Sequence, residues 1–332
     1  RFSRACTVYQ SKKGGNPSMI LSASDIGLLV SSTMTYAAPL IIAGMGSIMS
    51  ETSGVVNIGI EGQMTVGAFA CAAVSVLTGN PWLGLIAGAA GGALFGFFHG
   101  LASITFKADQ TISGIAINLL APGAAVYFCK AFFEGSTQTR PVDLGSKLPM
   151  FFSSVFPPDS FLTYMFKNYV SVYFCIALAA GIWFLLFKTR LGLRIRAIGE
   201  HPRAAATLGI SVFKVRYFCV ILSGMLAALG GAVIPLSTVS YFFPSIISGQ
   251  GFIAIAAVIF GKFKPKNTVL GCMLFGFCKS LSLTLGNPKF GLSVSVHILS
   301  MIPYVITLLV LLFIGRSHAP AGSGKIYDPA GV

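Results

Sequence analysis

Apolar residues run along this chain in long, nearly unbroken stretches separated by short polar or Gly/Pro-containing joints. That pattern has the length of membrane spans and lacks the alternating polar face of surface helices. A bilayer core takes about 20 apolar residues at 1.5 Å rise per residue. By that measure, segments fall near 26–49, 64–78, 81–106, 111–133, 169–187, 217–235, 250–261, 267–285 and 293–315. Two of them, 64–78 and 250–261, are too short to cross alone, and each follows a Gly-containing apolar stretch, 54–63 and 239–249. Interrupted segments in matching positions predict discontinuous helices lining a pathway. The chain is read as an all-α, polytopic helical membrane protein of about nine transmembrane segments, within a range of eight to ten.

The matching positions share letters. Ile60-Glu61-Gly62-Gln63 recurs 187 residues later as Ile247-Ser248-Gly249-Gln250, and at that offset Gly44 matches Gly231 and Ser50 matches Ser237. Leu94-Phe95-Gly96-Phe97 recurs 180 residues later as Leu274-Phe275-Gly276-Phe277. Several matches in one order predict an internal duplication, with halves at about 26–133 and 217–315. Five segments separate the copies, and an odd number inverts the second across the membrane, giving two inverted repeats.

Charge changes the picture in two ways. Only 10% of residues are charged against 55% hydrophobic, far below the roughly 25% charged content of a soluble domain, which argues against a globular cytosolic enzyme. The formal net charge of +14 would suit a nucleic-acid binder, but the positive residues lie in loops between apolar spans, so no nucleic-acid partner is expected. The densest cluster, Lys188, Arg190, Arg194, Arg196, Arg203, Lys214 and Arg216, places the 188–216 connection in the cytoplasm. Lys262, Lys264 and Lys266 fall two spans later on the same side, 134–168 becomes an external loop, and 317–332 a cytoplasmic tail. Residues 1–18 are polar, lack the apolar core of a signal peptide and precede the first methionine, Met19. They read as a non-native or disordered leader to a single transmembrane domain over 19–316. Six of the seven cysteines sit inside apolar stretches without metal-like spacing and read as packing residues.

Within 188–216, Pro202 suits the first turn of a helix, Ala204, Ala205 and Ala206 are strong helix formers, and Gly209 is a natural stop. A two-turn helix is predicted there, with Ser211 placed to cap the next span. Such a rigid knob between basic flanks is either a solvated loop or a docking element for a cytoplasmic partner.

Two motifs carry a family resemblance. GEHPRAAATLGI, residues 199–210, resembles the Gly-Glu-Asn-Pro-Arg-Ala-Ala loop of permease subunits in bacterial ABC importers, with His201 replacing the usual Asn. GVVNIGIEGQM, residues 54–64, resembles the Gly-Val-Val-Asn-Leu-Gly-Leu-Glu-Gly-Met-Met motif of the nucleoside and simple-sugar branch of the branched-chain amino-acid and ribose permeases, with Gln63 replacing a Met. The resemblance covers about residues 26–315. It implies the membrane-spanning subunit of an ATP-driven importer in the bacterial cytoplasmic membrane. Implied partners are a cytoplasmic ABC ATPase, a second permease (often a related chain, giving a heterodimer) and an extracytoplasmic substrate-binding lipoprotein. Carried onto this chain, Gly199, Glu200, Pro202, Arg203, Ala204 and Ala205 form the ATPase-coupling loop. Nucleosides come first as solute, with riboflavin, other heterocycles and simple sugars behind.

Polar groups at membrane depth face a cavity or a partner, because a carboxylate at a helix centre costs about 2.5–3.5 kcal/mol. Asn57, Glu61 and Gln63 therefore mark a candidate translocation pathway, with Gln110, Asn118 and Gln250 as weaker members. Glu61 has two readings: a clamp on backbone amides freed at Gly59 and Gly62, or a direct solute contact. Gln110, Asn118 and Gln250 equally suit interhelical hydrogen bonds. His99 and Lys279, in equivalent places of the two repeats, read as side chains snorkelling from span ends. No GxxxxGK[ST], HExxH, GxSxG or metal-spaced histidine cluster occurs. No catalytic or metal-ligating residue and no cofactor is therefore expected on this chain, and ATP and Mg²⁺ belong to the ATPase. The rival reading, an ion-coupled secondary transporter, needs acidic ion sites inside the spans, where only Asp25 and Glu61 come near.

Overall fold

The computed structural model describes residues 23–143, 145, 147–151, 166, 168–286, 298, 301–313 and 319–328. The expected leader and parts of the 134–168 loop and the 293–315 span lie outside them. The described chain is a helical bundle: α1 (Ala23–Thr52), α2 (Ile60–Thr78), α3 (Pro81–Gly100), α4 (Gln110–Phe132), α5 (Val170–Lys188), α6 (Arg190–Glu200), α7 (Pro202–Thr207), α8 (Val212–Ile234), α9 (Gln250–Phe260), α10 (Pro265–Leu285) and α11 (Ile302–Phe313). Single π-turns extend α3 to Thr105 and α8 to Val239. The strands β1 (Met150–Phe151) and β2 (Asn168–Tyr169) form one short antiparallel pair.

Among the described residues seven helices are long and apolar enough to span a membrane, while α9, at 11 residues, is too short. The sequence reading placed its second segment at 64–78, too short to cross. In the structure that helix begins at Ile60 and runs 19 residues. The reason is a side chain from another helix: Asn118 on α4 accepts from Gly62 N at 2.8 Å and donates to Ile58 O at 2.9 Å, satisfying the polar first turn. Likewise α8 starts at Val212, five residues before its expected span, because Arg216 is buried. Elsewhere the ends have ordinary causes. Asn80 caps α3 through Trp82 N, with Pro81 at the first helical position. Asp109 caps α4 by accepting from Thr111 N and Ile112 N.

An order of long helix, irregular stretch, α-helix and two further helices occurs twice, in α1–α4 and in α8–α11. The core lies where α1, α2 and α8 cross, with α5, α9 and α10 packed against them. Their approach is close enough that small residues are obligatory: a Cβ on Gly231 of α8 would overlap the Met64 carbonyl of α2. This is the packing a bilayer demands, since lipid provides no hydrophobic drive between helices.

Contacts sort the connections into two ends. At one, Arg216 donates to Ser53 O at 3.3 Å and to Lys325 O at 3.3 Å, and the 319–328 stretch lies across α6. Lys266 stacks over Trp183 at 4.9 Å near the α5–α6 joint at that same end. At the other, Thr139 N donates to Phe242 O at 3.1 Å and Val142 N to Ser240 O at 2.6 Å. The basic loops thus gather at one end, as the charge pattern requires.

Candidate functional site: a clamp between the halves, a cavity and a coupling platform

Five of the six residues that sequence reasoning placed on the pathway gather around the 53–59 stretch and the start of α2: Asn57 in the stretch itself, Glu61 and Gln63 in α2, and Gln110 and Asn118 reaching it from α4. Asn57 is buried, donating to Gln63 Oε1 at 3.0 Å and to Ser223 Oγ of α8 at 3.0 Å. Gln110 Oε1, at the start of α4, accepts from Val56 N at 2.7 Å. His99 is fully buried, with Nδ1 2.9 Å from Ser113 Oγ and Nε2 3.0 Å from Val56 O. The ring therefore donates through Nε2, since a carbonyl only accepts, and takes Ser113's proton at Nδ1 when neutral. The expected snorkelling of His99 to a span end is thus corrected: its two partners give the ring a reason to stay inside.

Glu61 bridges the two halves. Its Oε1 accepts from Gly249 N at 2.7 Å and its Oε2 from Gly251 N at 2.7 Å. Both amides belong to the first turn of α9 and its preceding residue, in the segment that repeats the Glu61 motif. The clamp reading expected amides from Gly59 and Gly62, but those obtained come from the second half. A short helix beginning at Gln250 presents unpaired N–H groups and the positive end of its dipole, and a carboxylate satisfies both. The close approach also fixes the glycine: a Cβ on Gly251 would sit 2.7 Å from Glu61 Cα.

A cavity of about 610 Å³ opens beside this clamp, between α1, the 238–250 region, α10 and α11. Its wall is mostly apolar, with Leu40, Ile234 and Ile253 among its aliphatic members, and carries the aromatic rings of Tyr36 and Phe243 and the polar groups of Ser245, Gln250 and Lys279. The volume lies within the ~300–1,000 Å³ range of small-molecule sites. Of the six pathway residues expected from sequence, only Gln250 lines it. Asn57, Glu61, Gln63, Gln110 and Asn118 are engaged with protein groups around the start of α2. Tyr304 of α11 closes one side and donates to Ser248 O at 3.2 Å.

In the expected coupling loop, the short helix predicted from Pro202 to the stop at Gly209 is present as α7, and Gly209 has the left-handed φ of +79°. The chain breaks at His201 into α6 and the six-residue α7, with Pro202 at the first helical position. Ser211 occupies the N-cap of α8 but its side chain makes no capping bond. Glu200, Arg203 and Ala204 are exposed, Pro202 is half-buried, and Gly199 and Ala205 are buried. Gly199 lies against the Thr52 carbonyl at the end of α1, where a Cβ would overlap it. Sequence reasoning missed Leu208, which follows α7 and is 81% exposed. Leu208 stands out beside the exposed charges of α7, and periodicity could not single it out next to so short a helix.

Residues 319–328 complete this platform. Gly322 N donates to Gly199 O at 2.7 Å, Ala321 N to Glu200 Oε2 at 3.2 Å, and Ser323 Oγ to Glu51 Oε2 at 3.2 Å. Lys107 pairs with Asp328 at 3.0 Å, and Tyr327 packs edge-on to Phe213. The tail was expected only as a cytoplasmic extension.

The family profile of branched-chain amino acid transport system permease components matches residues 29–314. The chain belongs to that permease family. The permease is 44% identical over 317 residues to a guanosine ABC transporter permease of Bacillus subtilis, covering 91% of this chain and 97% of that protein. It is 36% identical over 312 residues to a nucleoside ABC transporter permease of Lactococcus lactis, covering 92% and 98%. A permease of Haloferax volcanii that bears a glucose-transport name is 33% identical over 306 residues, covering 85% and 90%. The matched region takes in the clamp, the cavity wall and the α6–α7 platform. The permease is a multi-pass membrane protein whose relatives are transporter subunits.

Proposed function

We propose that this permease is the membrane-spanning subunit of an ATP-driven importer that carries nucleosides across a bacterial cytoplasmic membrane. The observation that carries the reading is the cavity, with its aromatic rings and polar groups, set against the Glu61 clamp, where the two halves meet. Nucleosides present a stacking base and several hydroxyls, which such a wall can match. The two relatives named for guanosine and nucleosides support this choice over a simple sugar.

In this reading the chain binds no cofactor, and hydrolysis of ATP with Mg²⁺ occurs on a separate ATPase that docks on Glu200, Pro202, Arg203 and Ala204. Gly199 and Ala205 shape the platform from beneath. A second permease pairs with the chain, and an external binding lipoprotein delivers the solute. The contacts supply a mechanical sequence for coupling. Gly199 presses on the end of α1, α1 leads through residues 53–59 to the first turn of α2, and Glu61 there holds the first turn of α9, which borders the cavity. Movement of the platform can thus change the cavity without a long-range field.

Uptake of radiolabelled nucleosides, riboflavin and glucose into vesicles holding the whole complex tests the reading. ATP-dependent nucleoside uptake is expected. Uptake driven by an ion gradient with no ATP, or preference for glucose or riboflavin, refutes it.

A further inference from the structure

Among the described residues, Lys279 is a charge that neither the platform nor the basic loops account for. It is exposed and lies six positions before the end of α10 at Leu285, or about 9 Å along the helix at 1.5 Å per residue. It lines the cavity, and among the described residues it takes part in no ion pair. A cation on a cavity wall without a carboxylate partner is a group that a solute in the cavity can meet. Its counterpart by repeat, His99, is buried and fully bonded, so the duplication alone does not account for a charge here.

We propose that Lys279 is a specificity-determining residue that reads the base, favouring 6-oxopurine nucleosides. The inference rests on the nucleoside reading above and names the chemistry within it. An ammonium offers three donors and no acceptor. The outer edge of a 6-oxopurine presents two adjacent acceptors, N7 and O6, whereas a 6-aminopurine presents one acceptor and an N–H₂ donor that would face the ammonium unpaired. Tyr36 and Phe243 on the same wall supply ring faces or edges against the base. Thr238, Ser245 and Gln250 supply hydroxyl and amide groups of both polarities, suited to ribose hydroxyls. The polar groups of this mostly apolar wall therefore divide into an all-donor point and a mixed set, matching a base edge and a sugar.

The test is ATP-driven uptake of guanosine and adenosine into vesicles holding the complete transporter, with wild-type permease, K279M and K279R. The binding protein is common to all, so a change in the guanosine-to-adenosine ratio on substitution reads the permease. K279M is expected to lower that ratio on the order of tenfold, mainly through guanosine, while K279R retains the preference. An unchanged ratio in K279M, or an equal fall for both nucleosides, overturns the proposal. Should K279M fail to assemble, binding to the purified wild-type permease–ATPase complex without binding protein decides. Guanosine should bind about tenfold more tightly than 2-aminopurine riboside, which lacks O6, and equal binding overturns the proposal. Wild-type vesicles that take up neither nucleoside refute the nucleoside reading itself, and this proposal with it, before any variant is compared.

Discussion

Replacement of Glu61 by alanine removes both acceptors that hold the start of α9. Each bond is 2.7 Å from a backbone amide to a carboxylate oxygen, and a hydrogen bond to a charged group contributes roughly 1.5–3 kcal/mol net. Full loss of two would approach 3–6 kcal/mol. Because water can reach part of a half-buried site and solvate the freed amides, the expected cost is about 2–4 kcal/mol. Glu61→Gln keeps one acceptor oxygen and replaces the other with an N–H₂ that faces an N–H donor, so it should retain less than half of the interaction. Denaturant unfolding of purified permease should rank wild type above Gln and Gln above Ala, with insertion of all three intact. Nucleoside uptake should fall in the same order, since a released α9 turn no longer shapes the cavity. If Glu61→Ala unfolds at the wild-type midpoint while uptake is lost, the carboxylate acts on the solute and the clamp argument is wrong. If both stability and uptake are unchanged, the residue has no part in either.

Three further outcomes can be checked. Reversing charge with Glu200→Lys and Arg203→Glu should weaken ATPase docking by roughly 2–5 kcal/mol if the charges are buried at that interface, read by co-purification alongside capture of loaded binding protein. Undiminished coupled hydrolysis in the double variant would reduce the platform to a solvated connection. Gly231→Leu should block folding, because its side chain would occupy the Met64 carbonyl, and a wild-type yield of monodisperse protein would contradict the packing described. Asp328→Ala should cost no more than about 1 kcal/mol, as its pairing with Lys107 is solvent-exposed, and a larger shift in the unfolding midpoint would give the tail pair a weight its exposure does not predict.

The apolar runs revealed helices α1, α3, α4, α5 and α10 to within a few residues, because in lipid a span needs length and little else. The two recurring Gly-Gln motifs revealed where the halves correspond. What stayed hidden depends on partners distant in sequence. Ile60 joins α2 because Asn118 satisfies the next residues, and Asn118 is 56 positions from Gly62. Arg216 looked like one more loop cation, yet it is buried against Ser53 and Lys325. Glu61 was legible as a group requiring backbone donors, but donors nearby in the chain seemed as good as those 188 positions away. His99 and Lys279 matched by repeat and still met opposite fates, one sealed among acceptors and hydroxyls, the other facing open space. Sequence periodicity reports burial well and says little about who meets whom.

The 319–328 stretch is synthesised after every helix described here, yet it bonds Gly199 and Glu200 of a platform made far earlier. If the ATPase docks here as proposed, the surface offered to it is unfinished while the bundle is still being inserted. Docking before that point would meet an α6–α7 pair lacking its backbone partner at Gly199 and with Glu200 unoccupied. Timing of this kind amounts to a check on completeness: a truncated permease could enter the membrane and still present a defective seat to the motor. A fusion attached close behind Asp328 would intrude on the same seat.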